Sequence, residues 1–149
     1  MTAELKERRI SILRRLREML LRQRDKFQAY LDLLEQEGDS IASGDVDKLQ
    51  AQLELEKNVI VEIRTLKTVI DPLEDLYHAA YPESEDSVPA LKAVLEKMGI
   101  RMKERNARNR AALNAKMEEL RREISGLRAW PNGKSQFAEV TPNLVDVTT

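Results

Sequence analysis

The sequence predicts an all-α fold: an elongated antiparallel three-helix bundle with long, coiled-coil-like helices and an irregular C-terminal tail. Three observations carry this. Charged residues make up 34% of the 149 and aromatic residues only 4%, with five glycines and five prolines, a balance typical of long helices. Apolar residues recur at steps of three and four over three long stretches, the period of one helical face. Breaks fall at Ser43-Gly44-Asp45 and between Tyr81 and Val88, where three helices of similar length would turn. The bundle is expected over residues 1–129 and the tail over 130–149.

The first helix is expected from about residue 3 to 42. Leu5, Ile12, Leu16, Met19, Phe27, Tyr30, Leu34 and Ile41 form its stripe, and Leu13, Leu20 and Leu31 widen it. A stripe broader than two positions per heptad suits a helix that touches two neighbours. Gly44 is suited to the left-handed conformation that ends a helix, and Asp45 to capping the next one. So short a connection folds the second helix back antiparallel to the first.

The second helix is expected over 45–80, with Leu49, Leu53, Glu56, Ile60, Ile63, Leu66 and Ile70 on one face. Asp71-Pro72 interrupts it, because proline lacks the helical N–H and disfavours helix at the residue before it. A kink near 71–72 is therefore expected, with a short extension through Leu73, Leu76, Tyr77 and Ala80. The segment YPESEDSV reads as a loop, with Ser87 as the cap of a third helix over 88–128. That helix carries Leu91, Leu95, Met98, Met102, Leu113, Met117, Leu120, Ile124 and Leu127. Between Met102 and Leu113 the core positions fall on Arg105, Asn106 and Asn109, making this the weakest stretch of the helix. The tail, from Trp130 onward, holds Pro131, Asn132-Gly133 and Pro142 and has no helical period.

Composition excludes several functions. There is no cysteine, which removes disulfide scaffolds, thiolate metal sites and cysteine nucleophiles. One histidine, His78, removes His-rich metal clusters and the paired Glu-x-x-His motifs of di-iron bundles. No cofactor is implied. A net charge of -1 argues against nucleic acid or anionic lipid held by bulk charge. Basic stretches near residues 6–26 and 101–122 read as solvated helix faces. The N-terminal residues are charged, and no apolar run is long enough to span a bilayer, so a cytoplasmic chain without membrane insertion is expected.

Candidate sites are few. His78 is the one group suited to proton or phosphoryl transfer near neutral pH. It precedes Ala79-Ala80 and lacks the lysine-glycine pair that usually accommodates a phosphoryl group, so an exposed histidine near a helix end is the favoured reading. The carboxylates Glu35, Glu37, Asp39, Glu54 and Glu56 read as a solvated face, because a slim bundle offers no dry pocket for acid–base chemistry. No phosphate loop, nucleophile elbow or calcium loop occurs. The third helix is more informative. Methionine adapts to partners of varied shape, and a polar middle would leave the helix's C-terminal half less firmly docked. The apolar face there suits helix-in-groove recognition. Met102, Leu113, Met117, Leu120, Ile124 and Trp130 are the candidate contact residues. Pro142 to Val147 of the tail is either a second short contact or an unstructured end.

Leu33-Leu34, then Ser43-Gly44-Asp45-Val46-Asp47-Lys48-Leu49, Leu53, Glu56-Lys57 and the apolar run from Val59 resemble the FlgN family of flagellar export chaperones. The resemblance covers residues 25–70 best; the remainder agrees in length and helix layout. It implies a non-enzymatic, cytoplasmic chaperone of type III flagellar export. Such a chaperone binds the C-terminal helical region of hook–filament junction proteins, prevents premature assembly and delivers them to export-apparatus components. Family members bind clients through the C-terminal helical part, here about 88–127. The alternative is a self-associating structural coiled-coil protein without a client. The chain is expected to be a monomer or weak dimer.

Overall fold

A computed structural model of the chain describes residues 2–83 and 87–127. It has three helices: α1 (Ala3–Ser43), α2 (Val46–Ala80) and α3 (Ser87–Gly126). The three-helix bundle is as expected, and the predicted tail lies outside the described residues. The Thr2 hydroxyl accepts from the Leu5 amide and opens α1. Gly44, at φ 73, ends it in the left-handed conformation, and its amide and that of Asp45 return to the last carbonyls of α1. The Asp45 carboxylate then accepts from the Lys48 amide at 3.1 Å and starts α2. α2 continues in helix past Pro72 to Ala80, the end expected for it, with Leu73 and Tyr77 buried on the face that Ile63 and Ile70 begin. One expectation is corrected. Ser87 is the first residue of α3 rather than its cap, and its hydroxyl accepts from Arg17 Nε at 2.6 Å.

α1 is the central helix. It packs closely along both α2 and α3, while those two approach each other much less. α2 runs antiparallel to α1, as Lys26 pairs with Glu62 and Ser40 with Gln52. α3 runs parallel to α1, as Arg17 meets Ser87, Glu35 meets Arg105 and Leu34 meets Asn109. The core draws Leu16, Leu20, Phe27, Tyr30, Leu31 and Leu34 from α1, Ile60, Ile63, Ile70 and Tyr77 from α2, and Val88, Leu95, Met98 and Met102 from α3. Each such side chain, fully buried, contributes about 1.5–3 kcal/mol. Near the second turn Tyr81 stacks on Tyr77 at 5.3 Å, and the Arg9 guanidinium lies 4.4 Å from the Tyr81 ring centre. A cation over an aromatic face closes that end.

The polar middle of α3 is not its weakest stretch. Asn109 is buried and its Nδ2 donates to the Leu34 carbonyl at 2.7 Å. Asn106 is also buried and donates to the Tyr30 hydroxyl at 2.8 Å. The close approach has a cause in α1: a Cβ on Gly38 would stand 3.0 Å from Asn109 Oδ1. These bonds set the register of α3 against α1.

At the same level Glu37 and Glu56 are buried too, against the reading of these carboxylates as a solvated face. Burial raises the Glu37 carboxyl to about 9, and neighbouring Glu56 adds to the shift. Burial also raises Glu56, opposed by hydrogen bonds from Glu37 and from Tyr30. Burial pushes Tyr30 above its ordinary value, with Glu56 as the next cause. As two carboxylates the pair would leave both Glu37 oxygens without a donor. With a proton on Glu37, its O–H donates to Glu56, which carries the charge. A chain of side chains thus runs from Asn106 through Tyr30 to Glu56 and Glu37, linking all three helices.

Three outcomes test this fold. Gly44→Ala should cost about 1 kcal/mol, read by chemical denaturation, because alanine is strained at φ 73. Met102→Ala should cost about 2–5 kcal/mol as a core truncation. The third outcome concerns pH. A carboxyl whose pKa rises on folding holds its proton more tightly in the folded chain. Its stabilising effect is full below the ordinary carboxylate range and is lost as pH climbs towards about 9. The melting temperature should therefore fall from mildly acidic pH to about pH 9. Glu37→Gln, which keeps a donor to Glu56, should flatten that fall; an unchanged slope would place the titration elsewhere.

Candidate functional site

The packing of α3 divides at Asn109. Val88, Leu95, Met98, Met102, Asn106 and Asn109 are buried, and no described residue after Asn109 is. Register supplies the reason. Hydrogen-bonded partners on α3 and α1 lie 70 to 76 positions apart, so α3 reaches the level of Ser43, the end of α1, near Glu119 at the latest. The last turns of α3 run past the α1–α2 turn with nothing of α1 beside them.

The sequence-predicted contact residues fall into three groups. Met102 has no exposed surface; it belongs to the core, and its assignment as a partner contact is corrected on that ground. Leu113, Met117 and Ile124 are half-buried, and Leu120 is 41% exposed. These four share one face at steps of three and four, and Leu127, 65% exposed, extends it. Trp130 lies outside the described residues. His78 is exposed in the last turn of α2, its ring 5.4 Å from that of Tyr77. The ends of this α3 segment are held in helix by local pairs such as Lys116–Glu119 and Arg122–Glu118, which are exposed and individually weak. At the base of the segment Arg105 donates to Glu35 at 2.8 Å and holds that carboxyl below its ordinary value.

A second open surface lies on α2 at the same end of the bundle. Asp47, Gln50, Ala51, Leu53, Glu54, Glu56, Lys57 and Ile60 line a groove of about 750 Å³. All of them belong to α2. Leu53 and Ile60 stand at seven-residue steps from Lys67 and Glu74, and near the second turn Glu74 pairs with Lys92 of α3 at 3.2 Å. The face of α2 that meets α3 near one turn is therefore open near the other. On α3 the matching line from Lys92 passes Gly99, Asn106, Leu113 and Leu120. The two surfaces also match in height. Gln52 is level with Ser40 and Asn109 with Leu34, which puts Leu113 and Met117 beside the level of the groove.

The groove is what sequence reasoning missed. Its signal was present: Glu56 falls on the stripe of Leu49, Leu53 and Ile60, where a carboxylate is unexpected. Among the described residues no cluster of three or more His, Cys, Asp or Glu is placed to hold a metal ion, and no helix is long and apolar enough to cross a membrane.

The chain matches no protein-family model, and no solved structure matches it. It is similar to an uncharacterized protein of Treponema pallidum (strain Nichols), 28% identical over 122 residues that cover 82% of this chain and 79% of the other. The description of that relative adds no activity.

Proposed function

We propose that the chain is a non-enzymatic export chaperone of the flagellar type, as its resemblance to the FlgN family implies. In this reading it binds the C-terminal helical region of hook–filament junction proteins in the cytoplasm, blocks their premature assembly and hands them to the export apparatus. The observation that supports this most is the second half of α3: a helical apolar stripe, Leu113–Met117–Leu120–Ile124, with no buried residue after Asn109. Junction-protein termini polymerise through the apolar faces of amphipathic helices. Covering such a face takes another apolar helix face and no bond-making chemistry. Delivery also requires release, which suits an interface of modest area with charges at its margin. The stripe is short and flanked by Lys116, Glu118, Glu119, Arg121 and Arg122.

A second reading, self-association without a client, has its own observation. Leu55, Val69 and Leu76 are exposed on the outer side of α2 at heptad-compatible spacing. Sedimentation equilibrium separates the two. A concentration-dependent oligomer that ignores junction proteins supports self-association.

Leu120→Asp and Ile124→Asp should each lower the affinity for a junction-protein C-terminal helix at least about tenfold, by isothermal titration. Circular dichroism should stay helical, because neither side chain is in the core. Unchanged affinity in a helical variant would rule out the α3 stripe as the client site.

A further inference from the structure

We infer that residues 134–147 of this chain fold back over the open end of α3, seating Phe137 and Val140 on Leu120, Ile124 and Leu127, and that a client helix must displace them. The displacement half rests on the helix-binding reading above; the seating half stands without it.

The end of α1 sets the position and size of the opening. Past about Glu119 nothing of α1 lies beside α3. There Leu120 is 41% and Leu127 65% exposed, with Ile124 half-buried between them. The distance from Leu120 to Leu127 is about 10 Å at the helical rise. An extended segment covers about the same length in three residues, which is the separation of Phe137 from Val140.

The occupant is tied to the edge of the opening. Arg128 follows Leu127 directly, and Pro131-Asn132-Gly133 are residues suited to reversing a chain. Arg128 to Trp130 leading out and Lys134 to Gln136 leading back are equal in length. Phe137 then returns to the level of Leu127, and Val140 reaches that of Leu120. A segment tethered so closely has an effective concentration on the order of millimolar. A seat of two or three side chains, too small to retain a free peptide, is therefore filled, yet it yields to a partner of moderate affinity.

Charge favours this occupant over a second copy of the chain. From Arg108 to Gly126, α3 carries five cations and three anions. Beyond the turn the balance reverses, with Glu139 and Asp146 against Lys134. Glu139 stands between the two seated residues, at the level of Arg121 and Arg122. A second α3 would instead lay a margin of like net charge against this one.

Methyl NMR of the full chain reads the seat. A phenylalanine ring over Leu120 and Ile124 displaces their methyl resonances. Phe137→Asp should remove that displacement and leave the core residues Leu16 and Ile63 unmoved. The displacement should not change with chain concentration. Isothermal titration with a junction-protein C-terminal helix should then show the Phe137→Asp chain binding about two- to tenfold more tightly, because a tethered competitor has been removed. Leu120 and Ile124 methyls that ignore Phe137→Asp overturn the inference. A displacement that fades on dilution also overturns it, by assigning the ring to a second copy. Equal or weaker client binding by Phe137→Asp overturns the displacement half; weaker binding makes the tail part of the client's seat. A client that binds neither chain overturns the helix-binding reading and the displacement half with it, while the methyl resonances still decide the seating.

Discussion

The hydrogen bond from Asn109 to the Leu34 carbonyl fixes how far along α1 the third helix lies, and most of the molecule's character depends on that one register. Apolar stripes alone specify register poorly, since leucine packs nearly as well one turn along. A buried amide is less forgiving, because a shift of one turn would strand it without a partner. Gly38 makes the contact possible by omitting a side chain where the amide sits. With Asn109 at Leu34, α1 ends before α3 does, and the turns of α3 beyond about Glu119 have nothing of α1 beside them. The exposed stripe is thus set by a polar contact a full turn or more away from it.

The same level of the bundle holds its strongest electrostatic tension. Glu37 and Glu56 share one proton in a site where Tyr30 and Asn106 also meet. A fully apolar layer would be at least as stable there. Packing and proton affinity are therefore properties of one cluster of side chains.

Much of this was legible in the residues. The stripes of α1 and α2, Gly44 as the end of α1 and Asp45 as the cap of α2 follow from helical period and turn chemistry that operate over a few residues. The misreadings share a physical origin. Asn106 and Asn109 look like weak points because their partners, the Tyr30 hydroxyl and the Leu34 carbonyl, are 76 and 75 positions away. Met102 and Leu113 belong to one stripe, and only the register of α3 shows that the first is sealed and the second is not. Glu37 lies between Leu34 and Ile41 at steps of three and four, so its burial was implicit in the period, but a lone acid is read as solvated until a second one faces it.

The parallel pairing of α1 with α3 also has a consequence for birth on the ribosome. The contacting residues that join them are 70 to 76 positions apart, so each contact residue of α1 waits for that many more residues to be translated before its partner on α3 exists. At bacterial and eukaryotic elongation speeds this is a delay of about 4 to 15 s. During it a nascent α1–α2 hairpin lacks Val88, Leu95, Met98 and Met102, the share of the core that α3 supplies.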